Sequence, residues 1–305
     1  MGIGMLAMLV SEFLYAQKRE IACRLRIIAY VRNRLGPSSD PEAKTLLASF
    51  DFAVDKKWST TKITKQLKNR LEAFGAWDKT SEAVWRLFHP LTEGLQGMIR
   101  EEVEDNSLWL DWLCSVRGVG LLLAGEVIGV FAKALKPGET FGQHFRTVSQ
   151  MWAFVGLDVR QGKAPGFTKG EQASFNKQYR SILVTRLGVS LIRVGGEYYD
   201  YYSRKKEALK RRFERDGIKI VPADQLPTKA GKKYEPEGVI SMGHLDQMAR
   251  RVMVKLFVAH FWEAIRRAEG LSAGEPYVFS GEHAHSRDHY IPPIRDKSAK
   301  KARPE

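Results

Sequence analysis

The sequence predicts a mainly α-helical protein, in which a long-helix arm is followed by a compact helical domain. Three observations carry this. Apolar residues recur at three- and four-residue spacings over long stretches, few segments alternate with period two, and the breaks fall at Gly, Pro and Ser clusters. At 305 residues and 44% hydrophobic side chains, the chain can bury a substantial core.

The first helix runs from about Ile3 to Leu35, with Leu6, Leu9, Phe13, Ala16, Cys23, Ile27 and Tyr30 along its apolar side. Its apolar start is far short of the roughly 20 residues that cross a bilayer. No basic stretch precedes it and no small-residue cleavage site follows, so it reads as a helix and not as a leader or a span. Gly36-Pro37-Ser38-Ser39 ends it. Shorter helices are expected at Pro41–Val54 and Thr60–Phe74, the latter capped by Ser59 or Thr60. A second long helix is expected at Ser81–Glu104, with a stripe of Val84, Leu87, Leu91, Leu95, Met98 and Ile99 and a bend near Pro90. The two long helices could pair as a dimerising antiparallel coil, or close into a bundle within one chain.

From Leu108 the chain reads as compact and helical. Helices are expected at Leu108–Val116, Leu121–Ala134, Phe141–Phe154, Phe175–Gly188, Val189–Asp216 and Ser241–Glu269, with loops at Gly156–Ala173 and Ile218–Gly238. The organisation is then a helical arm over 1–106, a nucleic-acid-binding domain over 107–272, and a His- and Pro-containing extension over 273–305. That extension ends in a charged, disordered tail from Arg295.

The charge is +14, from 49 basic and 35 acidic side chains, and it is uneven. Residues 1–110 carry 16 basic and 14 acidic groups, and residues 111–305 the other 33 and 21. A domain so biased attracts anionic polymers. Two cysteines, Cys23 and Cys114, make neither a disulfide framework nor a C-x-x-C pair, which fits a reducing cytoplasm.

Four segments suit a phosphate backbone. In Arg117-Gly118-Val119-Gly120 the glycines allow a tight turn between apolar helices, and the next helix would start with amide groups that attract phosphate, the logic of a helix-hairpin-helix. The loop Val155–Lys177 holds Arg160, Gln161, Lys163, Lys169, Asn176 and Lys177, with Arg180 just beyond. The tyrosines Tyr198, Tyr199, Tyr201 and Tyr202 run into Arg204, Lys205, Lys206, Lys210, Arg211, Arg212 and Arg215, aromatic and basic groups that suit stacking and phosphate contact. His244, Gln247, Arg250 and Arg251 open the last helix, with His260 further along as a core histidine. His283, His285 and His289 have metal-ligand character but no fourth ligand in register, so a tail folded onto the core is the preferred reading, with no metal and no cofactor. Walker A, G-x-G-x-x-G, G-x-S-x-G and H-E-x-x-H motifs are absent from the sequence.

The order Leu113–Gly129, Trp152–Lys163, Arg180-Ser181-Ile182-Leu183, the Tyr/basic helix and Gly243–Ile265 resembles the C-terminal module of the insertion-sequence one-ten transposase family, the Piv-type invertases and RNA-bridged recombinases. That module is similar to the Nop domain of guide-RNA proteins, and the resemblance covers about half the chain. Those transposases begin with a RuvC-like domain rich in carboxylates and carry a nucleophilic loop serine. This chain begins with helices, its aligned loop reads Arg160-Gln161-Gly162-Lys163, and Ser174 is displaced. The resemblance therefore implies a nuclease-free relative, like the Tas proteins of tandem interspaced guide RNA arrays. It implies a homodimer that holds a small guide RNA and is directed to target DNA by base pairing, with no catalytic residue of its own and no membrane partner. The alternatives are a recombinase using Ser174 or a partner nuclease, and a sequence-independent helix-hairpin-helix DNA binder.

Overall fold

A computed structural model describes residues 3–36, 39–55, 65–160, 162–166, 170, 172–272 and 290–295, the side chains of 51–55 excepted. The chain is mainly helical, with little strand. It divides into two compact units, one of Leu9–Met98, the other of the residues up to Met8 together with those from Ile99 onward. The expected tail from 296 lies outside the described residues, as do His283, His285, His289, Gln161, Lys169, Ser59 and Thr60.

The first unit holds α1 (Ile3–Leu35) from Leu9 onward, α2 (Pro41–Asp55), α3 (Lys65–Ala73) and α4 (Lys79–Glu104) as far as Met98. The second half of α1 supplies Ile27, Val31 and Leu35 to a core completed by Ala43, Leu46 and Phe50 of α2, Leu71 of α3, and Ala76 and Trp77 of the following turn. This core is built within one chain. Asp78, not Ser81, starts α4, accepting from the amides of Thr80 and Ser81 at 3.1 and 3.2 Å. Beside it, the buried Glu82 carboxylate takes Lys68 Nζ at 2.5 Å and Trp77 Nε1 at 2.6 Å. Burial pushes this carboxyl up, but the hydrogen bonds from Lys68, Trp77 and Arg86 outweigh it and hold it at about 2.

The inward face of α4 differs from the expected stripe. Ser81, Glu82, Thr92, Leu95, Ile99 and Val103 are buried, whereas Leu87, Leu91 and Met98 are 73%, 49% and 50% exposed. The polar groups on the inward side are tolerated because they are hydrogen-bonded, Thr92 to the Phe88 carbonyl at 2.8 Å for example.

The second unit is organised on α12 (Met242–Ala268), whose Leu245, Ala249, Met253, Phe257, Val258, Phe261 and Ile265 are buried. Its N-cap Ser241 accepts from the His244 amide at 3.0 Å. Around it lie α5 (Ser107–Asp111), α6 (Leu121–Ala132), α7 (Phe141–His144), α8 (Val148–Phe154), α9 (Lys177–Ser181), α10 (Gly188–Val194) and α11 (Glu197–Arg215). Helix α6 is buried from Ala124 to Ala132, and a Cβ on Gly125 would sit 2.3 Å from Ile99 of the same unit, so that glycine permits the close approach of the last turn of α4.

Several boundaries depart from expectation. Leu108–Val116 is not one helix but α5 followed by a 3-10 turn, Leu113–Ser115. Phe141–Phe154 is two helices, because Thr140 with Gln143 forms a capping box at the first start and the Gln150 side chain accepts from the Thr147 amide at 3.1 Å at the second. The chain stays helical from α9 through a π-helical segment, Ile182–Leu187, into α10, and breaks only at Gly195-Gly196, where φ is 72° and 98°. Ile218–Gly238 is not only loop: β1 (Lys219–Val221) pairs in parallel with β4 (Val239–Ser241), and β2 (Thr228–Lys229) pairs with β3 (Lys232–Lys233) across an Ala230-Gly231 turn.

Candidate nucleic-acid interface

Helix α11 has two sides of different chemistry. Tyr198 and Tyr202 are buried against α12. Tyr198 Oη lies 2.8 Å from Nδ1 of His260, and the Tyr202 hydroxyl donates to the Asp246 carboxylate. Lys206 joins that cluster, 2.9 Å from Asp246, and Arg250 donates to the other oxygen at 2.6 Å. Burial raises the Asp246 carboxyl, but Tyr202, Lys206 and Arg250 together hold it at about 2. Lys206 and Arg250 therefore face an internal carboxylate.

The opposite side of α11 is exposed at Arg204, Lys205, Lys210, Arg211, Arg212 and Arg215. Three arginines have acidic neighbours on the same stretch: Arg211 with Glu207 at 3.5 Å, Arg212 with Asp216 at 3.7 Å, and Arg215 with Asp216 at 3.1 Å. These are solvated pairs, each worth at most about 1 kcal/mol, so they bind the arginines only weakly. Tyr199 is exposed beside this face, and the Lys205 ammonium lies 5.3 Å from the Tyr201 ring centre.

A second group gathers where the 156–180 loop meets α12. Arg251 donates to the carbonyls of Gly156 at 3.0 Å and Asp158 at 2.7 Å. Arg180 donates to the Pro165 carbonyl at 2.8 Å and lies 5.0 Å above the Phe175 ring. That ring abuts Gly156, where a Cβ would meet it at 2.4 Å and φ is +68°. One turn past Arg251, the Lys255 ammonium sits 4.2 Å above the Trp152 ring, whose indole donates to the Lys255 carbonyl at 3.1 Å. Burial lowers Arg251 to about 10, aided by the charge of Arg180 and opposed by Asp158. Burial, with Arg251 second, also lowers Lys255. The structure thus brings Arg180 and Arg251 together with Lys255 and Trp152, which sequence reasoning missed. No local pattern links residues about a hundred positions apart.

The remaining expected residues lie elsewhere. Arg160 pairs with Asp158 at 2.7 Å, and its backbone pairs with Lys163 in a tight turn where Gly162 has φ of +74°. Asn176 caps α9, accepting from Gln178 at 2.8 Å, with Lys177 exposed beside it. His244 meets Glu235 at 2.7 Å and Gln247 is exposed. Arg117 and Gly120 are exposed, but Gly118 packs on α10, where Ser190 donates to its carbonyl at 2.6 Å. A Cβ on Gly118 would lie 2.7 Å from Val194, so this glycine serves packing as well as the turn.

Two buried polar features also escaped sequence reasoning. Glu126, the one acidic residue of α6, is buried and paired with Arg186 of the π-helical segment, and burial raises its carboxyl despite Arg186. A single acid in an apolar run was the available signal. In the first unit, a cleft of about 500 Å3 is lined by Glu20, Arg24, His89 and Thr92 among others, with Glu20 3.1 Å from His89. Among the described residues no group of three or more His, Cys, Asp or Glu side chains is placed to hold a metal, and no helix is long and apolar enough to cross a membrane.

No family model matches the chain, and neither a curated protein nor a solved structure matches it.

Proposed function

We propose that this chain binds a nucleic-acid backbone and that its ligand is a small guide RNA, through which base pairing rather than the protein selects a DNA target. The observation that carries the first part is the exposed basic side of α11, held rigid by tyrosines and an internal carboxylate on its other side. Such a face contacts phosphates without reading sequence. The turn Arg117–Gly120, in the manner of a helix-hairpin-helix, would add a second backbone contact. The guide-RNA part rests on the resemblance to the transposase C-terminal module and to nuclease-free Tas proteins, and no bond-breaking step is assigned to any residue.

A homodimer belongs to the same reading. Leu87, Leu91 and Met98 line the exposed side of α4, and Gly94 between them has open space where a Cβ would stand. Large side chains beside an open glycine suit an antiparallel copy of the same helix, Leu91 of one meeting Gly94 of the other. Sequencing nucleic acid recovered with the purified protein separates the readings. A discrete small RNA supports the guide reading, nuclease-resistant DNA alone the plain DNA binder, and metal-dependent strand exchange by the isolated protein the recombinase.

A further inference from the structure

We infer that Arg180, Arg251 and Lys255, set against Trp152, form a binding site for a phosphomonoester. The inference deepens the nucleic-acid reading by naming a strand end as ligand, and so rests on it in part.

The geometry is that of a built site. Arg251 and Lys255 are four residues apart and share one face of α12. Arg251 is fixed by two loop carbonyls and Lys255 by the Trp152 ring, while Arg180 lies over the Phe175 ring that abuts Gly156, the residue whose carbonyl Arg251 holds. All three cations are partly buried. Their anionic neighbour is Asp158, whose Oδ2 is taken by Arg160 at 2.7 Å. Tethering a loop to a helix needs one such cation. Three together, drawn out of water around one carboxylate, hold an excess of positive charge that is costly unless an anion joins them.

The ammonium of Lys255 makes no hydrogen bond or ion pair among the described residues. Arg180 and Arg251 use one and two of their five N–H donors on carbonyls. The free donors suit several oxygens on one centre. An internal diester brings a single negative charge, whereas a terminal phosphate brings roughly −1.5 to −2, closer to the excess here. The same chemistry is offered by a free nucleoside monophosphate or inorganic phosphate.

The test uses the full chain. Affinities are measured for one short RNA bearing a 5′-phosphate, a 3′-phosphate or hydroxyls at both ends, and melting temperature is followed with added nucleoside monophosphate and inorganic phosphate. Lys255→Gln removes the ammonium and leaves the carbonyl that Trp152 holds, and Arg180→Gln is an independent second variant. The expected result is roughly tenfold tighter binding of a phosphate-ended strand, a ratio that falls towards one in both variants. If no strand binds but free phosphate raises the melting temperature of the wild type and of neither variant, the site stands with a small phosphate as ligand, and the nucleic-acid reading fails. Equal affinity for all three strands with no thermal response to phosphate overturns the inference, and so does a preference that survives both substitutions.

Discussion

The hydroxyl of Tyr198 lies 2.8 Å from Nδ1 of His260, and Nε2 of the same ring lies 2.8 Å from the carbonyl of Ile291. A carbonyl only accepts, so Nε2 carries a proton, and because burial disfavours the charged ring Nδ1 accepts from the tyrosine. The imidazole is neutral, and it joins α11, α12 and the segment 290–295 that lies back on the core. Ile294 is buried there, its carbonyl accepting from Trp112 at 3.0 Å, and Tyr290 donates to Glu263 at 2.7 Å.

Burial lowers His260 to about 4, only partly offset by the Ile291 carbonyl. An unfolded histidine titrates near 6.5. The unfolded chain therefore binds a proton that the fold refuses between these values, and stability falls as pH drops through that window, by up to about 3 kcal/mol. Thermal melts from pH 7 to 4 should show this decline, and His260→Gln should flatten it.

Arg186→Met leaves the buried Glu126 carboxylate without its cation. Urea unfolding at pH 7 should show a loss of about 3 to 5 kcal/mol. The deficit should shrink at lower pH, because a protonated carboxyl needs no counter-charge, and Glu126→Leu with Arg186→Met should recover most of it.

Neutralising Arg211, Arg212 and Arg215 together removes exposed charge from α11. The slope of log affinity against log salt should flatten by roughly 2 to 3 units. Melting temperature should barely move, because the ion pairs lost are solvated.

Leu91→Glu places a charge on the exposed seam of α4. Sedimentation should show the wild type as a dimer and the variant as a monomer with an unchanged helical spectrum. A monomeric wild type would remove the seam from the account.

What the sequence revealed followed from local pattern. The course of α1 was legible from Leu6, Phe13, Cys23 and Ile27, and that of α12 from its apolar period after Ser241. The inward face of α4 was not, because counting apolar residues favours Leu87 and Leu91, whereas the fold buries Glu82 and Thr92 with their hydrogen bonds satisfied. The helix break was expected at Gly188 and falls instead at Gly195-Gly196, because Gly188 is helical and lets Arg250 and Val254 approach, at 3.0 and 3.2 Å from a Cβ there. Basic residues were legible as a class, but their roles depended on tertiary partners. Arg250 meets Asp246, His244 meets Glu235, and Lys255 acquires its place only beside Trp152.

The central claim is that the chain holds RNA. The most direct measurement is the nucleic acid recovered with the protein after purification in dilute salt, quantified and sequenced. The account predicts a small RNA of defined length in stoichiometric amount. Protein recovered free of RNA, with no affinity for short RNA at low ionic strength, would contradict it.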